Sequence, residues 1–434
     1  MSGDFKQMRP FFIIWGGQAL SLLGSSLVQF SLVWWLTEST GSATVLATAT
    51  MVAILPGIFI GPLAGALVDR WKRRWVMLVA DAIGALATLG LAIVAWQGLM
   101  EPWHVYITMF VRALAGAFHW PAMQASTSLM VPDKHLSRVA GLNQTLHGAM
   151  NIVAPPMGAL LLSLMSIERI MMIDVATAAF AIVPLLVIDV PQPPKTEEPL
   201  PADKPSVLAD VKMGLRYVWS WPGLMIIMVM AMVINFTVNP AFTLLPILVV
   251  DNYDGTAWHL GGMEAAFGIG VVLGGLVLGA WGGFRKRVHT ALFGLIGMGV
   301  GITMLGVLPA GAFILGMLAL FIAGVMNPIT NGPIMALMQA EVAPDMQGRV
   351  FTLLGSASMA MTPLSLAVAG PIADAFGVQL WYLLGGLTCI IMGVGAFFIP
   401  ALNTLETNPN GKGTDQDTAP AVGTSLPVAE DQAS

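Results

Sequence analysis

Charge is scarce in this 434-residue sequence: Asp, Glu, Lys and Arg together make up 10% of it, against roughly a quarter in soluble domains. With 56% hydrophobic residues and a mean hydropathy of +0.79, a soluble globular protein is excluded and an integral membrane protein is implied. Cysteine is nearly absent. Cys389 stands alone inside an apolar run, so no disulfide framework exists. A formal net charge of −5 argues against a nucleic-acid partner. There is no G-x-x-x-x-G-K-[ST] nucleotide loop, no His/Cys/Glu cluster with metal-ligand spacing, and no nucleophile–base grouping at one depth. An enzyme, a bound cofactor and an ATP-driven machine are therefore not expected. A cleavable signal peptide is not expected either, because the apolar run after Arg9 is too long and continues into the body of the chain.

Long apolar runs are what the sequence has in abundance. They read as spans at about 11–36, 43–68, 75–98, 103–130, 138–165, 170–190, 223–250, 259–283, 289–309, 312–340, 350–376 and 379–400. If both termini lie in the cytosol, seventeen of the nineteen basic residues fall in cytosolic segments. The exceptions are Arg169 outside and Arg112 within a span. The reverse orientation would invert the positive-inside rule almost completely. Between spans six and seven, Pro191, Pro193, Pro194, Pro199, Pro201 and Pro205 predict a stiff, non-helical connector. Val207, Val211, Leu215 and Val218 then recur at helical spacing, which predicts a short amphipathic helix on the inner membrane surface. The tail from about 403 is polar and is expected to be disordered.

The halves repeat. Gly61 and Gly65, which precede a basic connection, recur as Gly275 and Gly279 before Arg285-Lys286-Arg287. Pro132-Asp133 leading to Arg138-Val139 recurs as Pro344-Asp345 leading to Arg349-Val350. Two landmarks at nearly one offset predict a duplicated six-helix unit around a central cavity. Asp69 has no counterpart, since Gly283 occupies its place.

The first basic connection runs Gly61-Pro62-Leu63-Ala64-Gly65-Ala66-Leu67-Val68-Asp69-Arg70-Trp71-Lys72-Arg73-Arg74. Gly61 and Gly65 share one helix face and would allow a neighbouring helix to approach. The pattern G-x-L-A-G-x-L-x-D-R-x-x-R-R resembles the loop between helices 2 and 3 of the major facilitator superfamily, with Lys72 where that family usually has Gly. The resemblance implies a cytoplasmic gate built on Gly61, Gly65, Asp69, Arg70, Arg73 and Arg74. Asp81, near this loop in span 3, is expected to pair with its cations.

Arg112 lies well inside the fourth span, where a cation costs roughly 2.5–3.5 kcal/mol, so it should face a cavity or a carboxylate. The spacing from Arg112 to Gly116 resembles the fourth-span motif of proton-coupled facilitators, which implies a part in proton transfer; bracing two helices through carbonyls is the alternative. Glu264 and Asp174 lie inside the outer ends of spans 8 and 6. They are candidates for proton carriage, with Glu264 also a candidate for a cationic substrate. Gln18, Ser21, Ser25 and Gln29 form one face of span 1. Gln144, His147 and Asn151 stripe span 5, and Asn235, Asn239, Asn327 and Asn331 recur at intervals of four in spans 7 and 10. With His119 these read as the lining of a substrate cavity, or as helix–helix hydrogen bonds. Trp120, Phe236, Phe242 and 29 methionines would suit a pliable apolar pocket. Ala154-Pro155-Pro156-Met157-Gly158 resembles the antiporter motif G-P-x-x-G-G, with Ala154 and Ala159 where glycine is usual.

Ile14 to Leu22, Trp35 to Ala43, Ala117-Phe118-His119-Trp120-Pro121-Ala122 and Gly348-Arg349-Val350-Phe351 resemble the macrolide-efflux branch of the superfamily's drug exporters. The expected architecture is all-α and integral to the membrane, with twelve transmembrane helices in two pseudo-symmetric six-helix bundles. Residues 1–190 and 223–402 would form the bundles, 191–222 the linker and 403–434 the tail. The resemblance implies proton-driven export of a hydrophobic compound by a multi-pass protein of the cell membrane, expected to be a monomer whose partners are substrate, protons and lipid. Export of a siderophore or other metabolite, or import of a nutrient, is the alternative.

Overall fold

The structure, a computed structural model, describes residues 2–68, 70–192, 207–403 and 405–406. Asp69, the proline-rich part of the linker at 193–206 and the tail beyond residue 406 lie outside the described residues. Every regular element among the described residues is an α-helix. In chain order these are α1 (Ser2–Thr40), α2 (Ala43–Val68), α3 (Arg73–Trp96), α4 (Pro102–Met130), α5 (Asp133–Leu164) and α6 (Ile167–Val187). The short α7 (Val207–Ser220) precedes α8 (Pro222–Thr243), α9 (Leu245–Tyr253), α10 (Ala257–Trp281), α11 (Arg287–Val307) and α12 (Phe313–Glu341). Then come α13 (Pro344–Phe376), α14 (Gln379–Phe397) and the single turn α15 (Pro400–Asn403).

Eleven of the long helices are apolar enough to cross a membrane. The twelfth, α4, has 29 residues, enough for a span, and its polarity comes from Arg112, His104 and His119. The helices outrun the apolar stretches that betray them. α1 starts at Ser2, α5 at Asp133 and α13 at Pro344, their polar first turns extending each helix past its apolar stretch. The seventh span is broken into α8 and α9 at Leu244. Pro246 sits in the first turn of α9, where its missing N–H costs nothing, but it could not continue α8.

The packing repeats helix for helix. In the first group α1 packs on α5 and α6, α3 on α4 and α6, and α2 on α4. In the second, α8 packs on α13 and α14, α11 on α12 and α14, and α10 on α12. These are the same five pairings once α1 to α6 are matched to α8, α10, α11, α12, α13 and α14. The two groups meet through α5 on α10 and α2 on α13, and the same matching exchanges these two contacts, as a two-fold relation requires.

Among the described residues, the buried core that the groups share gathers at one face. A core of Phe30, Trp34, Leu46 and Ala159 from the first group with Leu245, Leu248, Leu260 and Ala369 from the second seals the face opposite the basic connections. There α2 and α13 approach so closely that a Cβ on Gly370 would stand 2.7 Å from the Thr44 Cα. Asp374, at the end of α13, caps the start of α2 across the boundary: it accepts from the backbone N–H of Ala43 at 2.7 Å, the N–H of Thr44 at 3.1 Å and the Ser42 hydroxyl at 3.0 Å. At the basic face, by contrast, a Cβ on Gly61, Gly65, Gly275 or Gly279 would meet nothing within 4 Å. The close approach expected at Gly61 and Gly65 is thus absent here, because the groups are splayed at that end.

The carboxylate cap predicts an asymmetric response. Asp374→Ala removes a charged acceptor from the N-terminus of α2, worth about 1–2 kcal/mol. The open population of the sealed face should rise roughly 5- to 30-fold. A cysteine placed at buried Ala369 should then react correspondingly faster with an impermeant maleimide. Unchanged labelling would show that the apolar core alone holds this face shut.

Candidate functional site

Between the two groups lies a central cavity of ≈ 750 Å³, bordered by Gln29 on α1, Asn151 on α5, Phe242 on α8, and Glu264 and Phe267 on α10. Through Ser25 and Arg112 it joins a chamber of ≈ 290 Å³ inside the first group. Through Phe242 and Phe267 it joins one of ≈ 370 Å³ inside the second. The three adjoin one another across the boundary, their mostly apolar walls studded with polar side chains, and one face is sealed by the core around Phe30 and Leu248.

Gln18, Ser21 and Ser25 border the first chamber, and Ser25 and Gln29 border the central cavity, as one helix face must. Asn235, Asn239, Asn327 and Asn331 all border the second chamber. Asn239 donates to the Thr362 hydroxyl at 2.7 Å, so part of this stripe also ties α8 to α13. On α5, His147 and Asn151 face the space, whereas Gln144 is exposed and borders none of the three. Its neighbour Asn143 takes that place and accepts from the Trp15 indole N–H at 2.7 Å. The spacing Asn143, His147, Asn151 is four and four, a regular stripe that a reading starting from Gln144 missed. Phe236 borders none of the chambers either; the aromatic pair is Phe242 with Phe267, edge to face at 4.9 Å.

Arg112 is ion-paired with Asp174 and also donates to the Thr88 hydroxyl. The Asp174 side chain is 3% exposed and that of Arg112 17%. Ser25 and Thr88 each donate a hydroxyl to Asp174 at 3.0 Å. The pair is therefore a knot joining α1, α3, α4 and α6, with its cationic side on the cavity. Thr88 had no signal in the sequence, since a lone threonine in an apolar helix is commonplace. Glu264, in contrast, has no hydrogen-bond or ion-pair partner among the described residues. It is a carboxyl group bordering the central cavity together with Phe267 and Leu320.

Asp81 does not reach the cations of the first basic connection. It accepts from the Gln18 amide at 2.7 Å, and His119 Nε2 stands 3.3 Å from its other oxygen, within ion-pair reach but off the hydrogen-bonding direction. Two of the connection's cations are anchored within their own group. Arg74 grips Asp189 and the carbonyls of Leu185 and Leu186 at the end of α6, and Arg73 donates to the Ala125 carbonyl at 2.7 Å. The C-terminal end of a helix favours a cation, and α6 ends closer to Arg74 than Asp81 does.

Residues 14–365 match the Major Facilitator Superfamily. The chain is 34% identical over 396 residues to macrolide efflux protein A of Streptococcus pyogenes, an alignment covering 91% of this chain and 97% of that protein. It is 27% identical over 406 residues to the multidrug efflux pump Tap of Mycolicibacterium fortuitum, covering 92% and 97%. Among solved structures, the nucleoside transporter NupG superposes with a TM-score of 0.61 at 14% identity, covering 88% of this chain and 98% of that one. A bacterial homologue of the human lysosomal transporter Spinster, in an inward-facing and unoccupied conformation, gives 0.64 at 13% identity, covering 92% and 98%.

Proposed function

Because the chain belongs to the Major Facilitator Superfamily, we propose that it exports a bulky hydrophobic compound of the macrolide kind from a bacterial cell in exchange for protons. The observation that carries this reading is the single cavity at the two-fold boundary, closed at one face and splayed at the other. A space of ≈ 750 Å³ is within the range that encloses drug-sized ligands. Its aromatic and methionine-bearing walls suit an apolar guest, and the macrolide and multidrug relatives support the compound class.

The basic residues of the connections 69–74 and 282–287 assign that face to the cytosol in this reading. The conformation described is then open to the inside, ready to collect substrate. In the alternate state α2 and α10 close at Gly61, Gly65, Gly275 and Gly279, and the basic connection with Asp69 holds the cytosolic end shut. Asp374 releases α2 as the outer face opens. Glu264 and the Arg112–Asp174 pair supply the titratable groups that couple this exchange to protons, and the proton gradient is the only energy source needed. One proton moving down a driving force of about 150 mV releases ~3.5 kcal/mol, enough to sustain a concentration ratio of a few hundred.

Expression in a susceptible bacterium stripped of its own pumps should raise the inhibitory concentration of macrolides roughly tenfold, inside that thermodynamic ceiling. The protection should vanish when an uncoupler collapses the gradient. If protection persists without a gradient, proton exchange is wrong. If macrolides are untouched while everted vesicles accumulate a siderophore, the substrate class is wrong.

A further inference from the structure

We propose that the outer groove between α3 and α4 binds one anionic phospholipid from the leaflet at the basic face. This groove shares no lining residue with the ≈ 750 Å³ cavity and meets the first chamber only at Ala80 and Ala115. It encloses ≈ 700 Å³, has Arg70 and Lys72 at its mouth, and is otherwise bordered by apolar side chains such as Trp75, Val79, Ile83 and Val111. Its shape follows from the sequence. Ala80 and Ala115 are small and nearly buried, so they leave a low floor, while Trp75 and Val79 stand up from α3, each about half exposed. Trp71 and Phe118, with ring planes 23° apart and centroids at 6.2 Å, close the wall nearest the mouth.

Three observations favour a phospholipid with a negative headgroup over a neutral one. First, the four cations of the connection divide into two kinds. Arg73 and Arg74 are spent on Ala125, Asp189 and the end of α6. Arg70 and Lys72 are exposed and have no hydrogen-bond or ion-pair partner among the described residues. Both border the groove. Second, the length fits. The ten residues from Arg73 to Ile83 rise about 15 Å, half of the ~30 Å hydrocarbon core and so the depth of one leaflet. A second hollow of ≈ 610 Å³, sharing Ile83 and Val111, continues the groove towards Trp103 at the other face. Third, tryptophans at the mouth sit where amphipathic rings prefer to lie, at headgroup level. A phosphate oxygen would accept from the Arg70 guanidinium and Lys72 ammonium while an acyl chain covers Val79 and Ile83. The inference is independent of what the central cavity transports.

The full-length protein, delipidated in detergent and titrated with phosphatidylglycerol or phosphatidylcholine, would be read by native mass spectrometry for retained lipid. Phosphatidylglycerol should be preferred roughly 30-fold, about tenfold or less for each cation. Arg70→Gln with Lys72→Gln should erase that preference. Lys212→Gln with Arg216→Gln removes the same charge from α7, also exposed, and should leave it intact. Val79→Phe with Ile83→Phe fills the groove and should weaken both lipids alike while the cations remain. Glycerol 1-phosphate in solution, which has the headgroup chemistry without the chains, should not compete. Equal retention of the two lipids overturns the proposal. So does a preference that survives the Arg70 and Lys72 exchange, or falls equally with the α7 exchange.

Discussion

Arg112→Met should cost the folded protein about 3–5 kcal/mol at neutral pH, because it leaves the carboxylate of Asp174 buried without its cation. Asp174 is 3% exposed, and the two hydroxyls that remain to it, from Ser25 and Thr88, cannot replace a charge. The loss should show as a lowered unfolding midpoint of the purified protein. Asp174→Asn alone should cost less, since Arg112 is 17% exposed on the cavity side and water can reach it. The informative variant is the double one, Arg112→Met with Asp174→Asn. Neither charge is then orphaned, and replacing a buried pair is close to neutral, so most of the stability should return. Transport separates the two remaining roles. If the pair couples protons to the cycle, the stable double variant stays unable to concentrate its substrate. If the pair only braces α4 against α6, uphill transport returns with the stability. A double-mutant cycle in unfolding midpoints, run beside an efflux assay, reads both answers from the same four proteins.

What the sequence could reveal follows from which forces act locally. Apolar length and basic connections are local, so the twelve long helices and the face carrying the cations were legible. The duplicated packing was also legible, because glycine pairs and Pro-Asp turns recur with nearly one offset. Partners across helices were not. Arg112 is ten residues into α4 from the sealed face, Asp174 seven into α6 and Glu264 seven into α10. Counting depth therefore leaves two carboxylates within reach of one arginine, and only the tertiary arrangement selects Asp174. Asp81 failed for the opposite reason. Sequence proximity to the basic connection suggested its cations, but the end of α6 holds Arg74, and Asp81 turns inward to Gln18 and His119. The choice of Gln144 over Asn143 was a slip of one residue, equivalent to 100° around a helix. The break at Leu244 was hidden because both α8 and α9 are apolar, so hydropathy carries no trace of it.

Glu264→Gln should abolish uphill export while leaving substrate binding within a few-fold of the parent. The substitution keeps the shape of the side chain and removes its capacity to hold and release a proton. Nothing structural depends on the charge, since Glu264 has no hydrogen-bond or ion-pair partner among the described residues and faces a cavity of ≈ 750 Å³. The variant should therefore fold normally, unlike Arg112→Met. The effect on transport is set by the driving force. A coupled exporter can hold a ratio of a few hundred against ~3.5 kcal/mol per proton, whereas an uncoupled carrier relaxes to a ratio of one. Vesicles loaded with the variant should thus show the same substrate distribution with and without an uncoupler, while exchange of labelled for unlabelled substrate continues. Two other results would reassign the residue. Unimpaired uphill export would leave the Arg112–Asp174 pair to carry the proton alone. A loss of binding beyond roughly tenfold, about 1.4 kcal/mol or more, with the gradient dependence retained, would make Glu264 the counter-ion for a protonated amine on the substrate. That role is open to it because Phe242 and Phe267 stand beside it, and aromatic faces attract desolvated cations.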